Sequence, residues 1–123
     1  PTVTPADTIA NTGAKLACAL GARSIVAYSR SGATALRVSA RRSGLPLVVL
    51  TPDPAVQRRM ALVWGARSVL ESSAMDYDSM IETAKAECRQ LLQPESGEKM
   101  VVLSGVPFGQ IGTTNNIRVA KLR

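Results

Sequence analysis

The sequence predicts an α/β fold in three layers, with a mostly parallel, five-stranded sheet between helices. Three observations carry this. Short apolar runs of strand length, "SIVAYS", "PLVVLT", "ARSVLE" and "KMVVLSG", recur along the 123 residues. Segments with helical spacing separate them, and Gly, Pro, Asp or Ser punctuates each transition. Strands alternating with helices require right-handed crossovers, and these cover both faces of a parallel sheet.

The first helix lies in "TPADTIANTGAKLACALG", with Thr4 as N-cap, Pro5 at the first helical position, Asp7 in the first turn and Gly21 at the end. Ile9, Gly13, Leu16 and Leu20 share one side of it. "SIVAYS" follows as a strand buried on both faces, then "GATALRVSARR" as a helix with Ala35, Leu36 and Val38 inward and "SGLP" as its stop. The cycle repeats. "PLVVLT" is the second strand, and "DPAVQRRMALVWG" a helix capped by Asp53 and closed by Gly65, with Trp64 read as core. "ARSVLE" is the third strand. "DYDSMIETAKAECRQLL" is a helix with Met80, Ile81, Ala84, Cys88 and Leu91 on one face. "KMVVLSG" is the fourth strand, and "NNIRVAKLR" an edge strand in which Ile117, Val119 and Lys121 alternate with polar or small neighbours.

This length holds one hydrophobic core, so residues 1–123 read as a single domain. Apolar runs are far short of the roughly 20 residues that cross a bilayer, and Pro1 to Pro5 does not resemble a signal peptide. The expectation is a cytoplasmic protein with no membrane partner. Cys18 and Cys88 lack metal or disulfide-framework spacing and read as small buried side chains. Histidine is absent, which excludes Ser-His-Asp and Cys-His chemistry. The net charge of +6 attracts anions, but the aromatic residues are only Phe108, Trp64, Tyr28 and Tyr77, and no basic run exceeds two residues. Nucleic-acid binders need a basic stripe or stacking platform, so small anionic ligands fit better.

Two loops at the carboxyl ends of strands are over-furnished for plain turns. In "YSRSGATA", Ser29, Arg30, Ser31, Gly32, Ala33 and Thr34 combine hydroxyls, a guanidinium and a glycine at a helix start. Backbone N–H groups of residues 32 to 35 at the positive end of the helix dipole would suit a phosphate. The same residues also fit an ordinary Ser31 cap with a solvated turn, and the local pattern leaves both readings open. The second loop, "SGVPFGQIGTTNN", carries Gly105, Pro107, Gly109, Gly112 and Thr113 and is long for a hairpin. The loop "TPDP" reads as turn and cap through Thr51 and Asp53. A dinucleotide enzyme is disfavoured because no G-x-G-x-x-G follows the first strand.

Taken together, "SIVAYSRSGATALRVSARR", "PLVVLTPDPAVQRRMALVWGARSVL" and "VVLSGVPFGQIGTTNNIRV" resemble the C-terminal domain of pyruvate kinase over nearly the whole chain. The resemblance implies strand order 3-2-1-4-5 with strand 5 antiparallel, which sets the two unusual loops across one crevice. It implies a phosphorylated effector gripped by residues 29 to 34, and a homo-oligomer formed through this domain. The family's catalytic groups, with their Mg2+ and K+, sit in a β/α barrel to which nothing in these residues corresponds. The resemblance therefore implies no cofactor here and no phosphate transfer by this chain alone. "ESSAMDYDSMIETA" lacks the Trp and Arg of vertebrate-type fructose 1,6-bisphosphate sites, which turns the expectation to a monophosphate such as a sugar phosphate or AMP. The alternative is a stand-alone metabolite-binding protein of the same fold.

Overall fold

The computed structural model describes residues 5–41, 44–63, 66–71, 76–105 and 115–122. Its elements run α1 (Pro5–Leu20), β1 (Ser24–Tyr28), α2 (Ala33–Ala40), β2 (Leu47–Thr51), α3 (Pro54–Met60), β3 (Ala66–Leu70), α4 (Tyr77–Leu92), β4 (Lys99–Ser104) and β5 (Asn116–Lys121). The sheet order is β3-β2-β1-β4-β5, parallel throughout except for the antiparallel β4–β5 pair. This is the predicted three-layer arrangement. β1 and β2 are buried along their whole length, as strands covered on both faces must be.

Alternation along the strands divides the core in two. Ile25, Ala27, Val49, Val101 and Leu103 face α1, α2 and α3, while Val26, Tyr28, Val48, Leu50, Met100 and Val102 face α4. The buried stripe of α1 differs from the predicted one. Ala10, Gly13, Ala14 and Ala17 are buried, whereas Ile9 and Leu16 flank the stripe and Leu20 is exposed. Small residues let the helix lie close to the sheet, so the apolar pattern is rotated toward them. Cys18 corrects a second expectation: one position beyond Ala17, it lies on the solvent side, while Cys88 is buried as predicted. On α2, Thr34, Ala35 and Val38 are buried and Leu36 is half exposed.

α3 ends at Met60, short of the predicted stop at Gly65. Tight turns follow: the N–H groups of Leu62, Val63 and Ala66 donate to the carbonyls of Arg59, Met60 and Val63. They turn Val63 toward the core and deliver Ala66 to its rung opposite Leu47. Trp64 and Gly65, like the Thr4 cap, lie outside the described residues. β5 is an edge strand whose Arg118 and Lys121 reach water, as predicted, but its buried face differs. Ala120 and Leu122 pack under α4, Ile117 is half buried against the α1 layer, and Val119 is 41% exposed. The chain past Lys121 turns inward because the Leu122 N–H donates to the Glu98 carbonyl.

Candidate functional site

The crossover from β1 leaves through α2 toward β2, while β4 stands on the other side of β1. Their chains therefore part at the carboxyl edge, just beyond the rung Ala27↔Leu103. Ligand sites of open parallel sheets form at such a reversal. The loop after Tyr28 enters it tied by hydrogen bonds to its neighbours. The Ser29 N–H extends the ladder by donating to the Leu50 carbonyl at 2.9 Å. The buried Ser29 Oγ then accepts the Gly32 N–H at 2.8 Å, and the exposed Ser31 Oγ accepts the Ala33 N–H at 3.2 Å.

These two bonds modify the predicted cradle. The N–H groups of Gly32 and Ala33 do not point freely into the crevice; each is held by a serine oxygen. Gly32, with no side-chain cap bond, is the N-cap of α2 instead of Ser31. A hydroxyl that accepts one N–H keeps its own proton to donate. Ser29 and Ser31, each accepting one backbone N–H, thus keep a hydroxyl proton to donate near the positive end of the α2 dipole.

Gly32 is favoured by its backbone conformation and closely packed. Its φ of +87° favours glycine, and a Cβ there would lie 3.0 Å from Met60 Cε and 3.3 Å from Val56 Cγ1. The loop backbone is therefore pressed onto α3. Thr34, in the first turn of α2, is buried, and Arg30 is half buried. The Tyr28 phenol is pushed above its ordinary value by burial, against the opposing charge of Arg30 and with a smaller push from Glu71.

A second guanidinium reaches the loop that sequence reasoning did not anticipate. Arg59, in the last turn of α3, donates through Nη2 to the Ser31 carbonyl at 3.3 Å. Its only sequence signal is a basic residue near a helix end, which ordinarily answers the helix dipole. What brings it here is that β2 neighbours β1, so α3 packs beside the start of α2.

At the third loop, the ordinary reading is what the structure has. Asp53 Oδ1 accepts the Ala55 N–H at 2.8 Å, and Thr51 Oγ1 accepts the Asp53 N–H at 3.3 Å. On the β4 side, Gly105 is half buried and the Asn115 N–H donates to the Ser104 carbonyl at 3.1 Å. Pro107, Gly109, Gly112 and Thr113 lie outside the described residues. Among the described residues, no group of three or more acidic or thiol side chains is placed to hold a metal ion, and no helix is long and apolar enough to cross a membrane. Residues 29 to 34 offer hydrogen-bond donors and positive charge, which is chemistry for holding an anion.

Fold and loop together define a doubly wound α/β domain with a donor-rich reversal point. The family model for the pyruvate kinase alpha/beta domain matches residues 7–120. The chain belongs to the pyruvate kinase family, as its C-terminal α/β domain. A pyruvate kinase of Agrobacterium vitis is 35% identical over 118 residues, covering 96% of this chain and 24% of that protein. One of Corynebacterium glutamicum is 41% identical over 100 residues, covering 81% of this chain and 21% of that protein. The chain thus spans about a quarter or less of the length of these relatives. A crystal structure of a Cryptosporidium parvum pyruvate kinase superposes with a TM-score of 0.86 at 22% identity, covering all of this chain and 23% of the other, which establishes a shared fold.

Proposed function

We propose that this chain is the regulatory and subunit-contact domain of a pyruvate kinase, an enzyme that transfers phosphate from phosphoenolpyruvate to ADP, and that its 29–34 loop binds a phosphorylated effector. The observation that carries the reading is the loop itself. Two serine hydroxyls, each accepting a backbone N–H of Gly32 or Ala33, stand at the start of α2, with Arg30 in the same loop and the Arg59 guanidinium on the Ser31 carbonyl. One such cradle suits one phosphate, which favours a sugar phosphate or AMP, with Gly105, Pro107, Gly109, Gly112 and Thr113 as the second effector loop. Catalysis and its Mg2+ and K+ belong to the barrel of the parent enzyme, so this domain uses no cofactor of its own and turns over no phosphoenolpyruvate by itself. Subunit contact fits the outer edge of β5, where Val119 is exposed and no further strand pairs among the described residues. The setting is the cytoplasm, where glycolysis runs.

Calorimetry with glucose 6-phosphate, ribose 5-phosphate and AMP tests the site. Charge-assisted hydrogen bonds contribute about 1.5–3 kcal/mol, so Arg30→Ala and Thr34→Ala should each weaken the preferred ligand tenfold or more. Unchanged affinity in both variants, or no binding of any of the three by the parent, would overturn the effector reading.

A further inference from the structure

We infer that α3 is the element that registers occupancy of the 29–34 loop, with Arg59 as the positioning residue that couples them. This rests on the effector reading above and concerns the regulation of that same site. The two side chains against Gly32, Val56 and Met60, are 1% and 2% exposed and are also the ones that seat α3 in the core. Loop and helix therefore share one set of anchors. Any change in the path of the Gly32 backbone presses on or releases the packing of α3.

α3 is suited to respond because it has little stability of its own. A helix of seven residues lies below the length at which helices persist in isolation, so its order depends on tertiary contacts. Its first turn is fixed by the Asp53 cap, whereas its last turn meets the loop through Arg59. That contact is long, exposed and made to a neutral carbonyl. An anion in the loop offers a charged acceptor, to which a guanidinium bonds about twice as strongly. Occupancy thus draws Arg59 toward the ligand and fixes the last turn of α3. α4 has no share in this, since its anchors Met80, Ile81, Ala84 and Cys88 lie in the cluster on the opposite face of the sheet.

Amide hydrogen exchange on the purified protein, with and without saturating inorganic phosphate or glucose 6-phosphate, tests the inference. Exchange should slow at least threefold in residues 54–63 together with 31–36, while residues 80–92 keep their rates. Arg59→Ala should bind more weakly, and once the ligand is raised to saturate it the loop should still slow while the α3 response falls by half or more. Slowing in the loop with none in α3 overturns the inference and leaves the effector reading standing. Equal slowing in α3 and α4 also overturns it, because that marks general stabilisation by the ligand. No slowing anywhere, with ribose 5-phosphate and AMP tried as well, overturns both.

Discussion

A methyl group on Gly13 would lie 2.8 Å from Leu103 Cδ2 and 3.1 Å from its Cδ1, closer than side chains tolerate. Leu103 is fully buried in β4, so its side chain can yield only by disturbing the core around it. Alanine is a better helix former than glycine by about 0.8–1.0 kcal/mol, whereas overpacking a core costs about 1–3 kcal/mol. The second effect wins, and Gly13→Ala should be destabilising by about 1 kcal/mol, read as a lower Tm in thermal unfolding. A Gly13→Ala protein as stable as the parent would show that α1 can lift off the sheet at no cost. Helical spacing placed Gly13 on the inward side of α1, but its necessity is visible only once Leu103 stands opposite. The same holds at the site. Ser29, Arg30, Gly32 and Thr34 announce themselves by crowding in sequence, while Arg59, 28 residues beyond the Ser31 that it bonds, has no local signature.

At the scale of elements, type and order were legible because each apolar run and each cap acts locally. Pro5, Asp53 and Asp76 start helices where side-chain chemistry demands it, and Asp53 and Asp76 do so by accepting N–H groups of their own first turns. What was not legible depends on neighbours distant in sequence: the end of α3, set by the register of β3, and the buried face of β5, set by α4. A further example ties three elements at the amino end of the sheet. Arg23, before β1, donates from Nη1 to both carboxylate oxygens of Glu98 at 2.8 Å, and the Glu95 N–H donates to the same carboxylate. The Arg23 hydrogen bond, then the Glu95 N–H, hold the Glu98 carboxyl below its ordinary range. A folded value below the unfolded one gives stability that is present above the unfolded glutamate value of about 4.3 and is lost as pH falls through the folded one. Glu98→Gln should therefore lower Tm at pH 7, and its Tm should converge with that of the parent as pH falls toward 3. Parallel Tm curves across that range would show that the carboxylate charge contributes nothing.

For the molecule as a whole, the sheet separates two tasks by its polarity. Its amino edge holds the Arg23–Glu98 pair, the Leu122–Glu98 backbone bond and the Arg89 contact with the Leu122 carbonyl, all of them ties between elements. Its carboxyl edge holds the reversal of strand order and the 29–34 loop, with hydroxyls and guanidiniums. β1 and β4 run side by side from one edge to the other, and the five residues of β1 at about 3.3 Å each set the two edges roughly 16 Å apart. Sites farther apart than about 7–10 Å with no shared partners act independently. Glu98→Gln should accordingly lower Tm while leaving the affinity for glucose 6-phosphate within twofold of the parent. Arg30→Ala should do the reverse, weakening binding tenfold or more with little change in Tm. In the double variant both changes should simply add, measured by calorimetry and thermal unfolding on the same samples. If Glu98→Gln alone shifts the affinity by more than threefold, the sheet transmits between its edges and the division of labour fails.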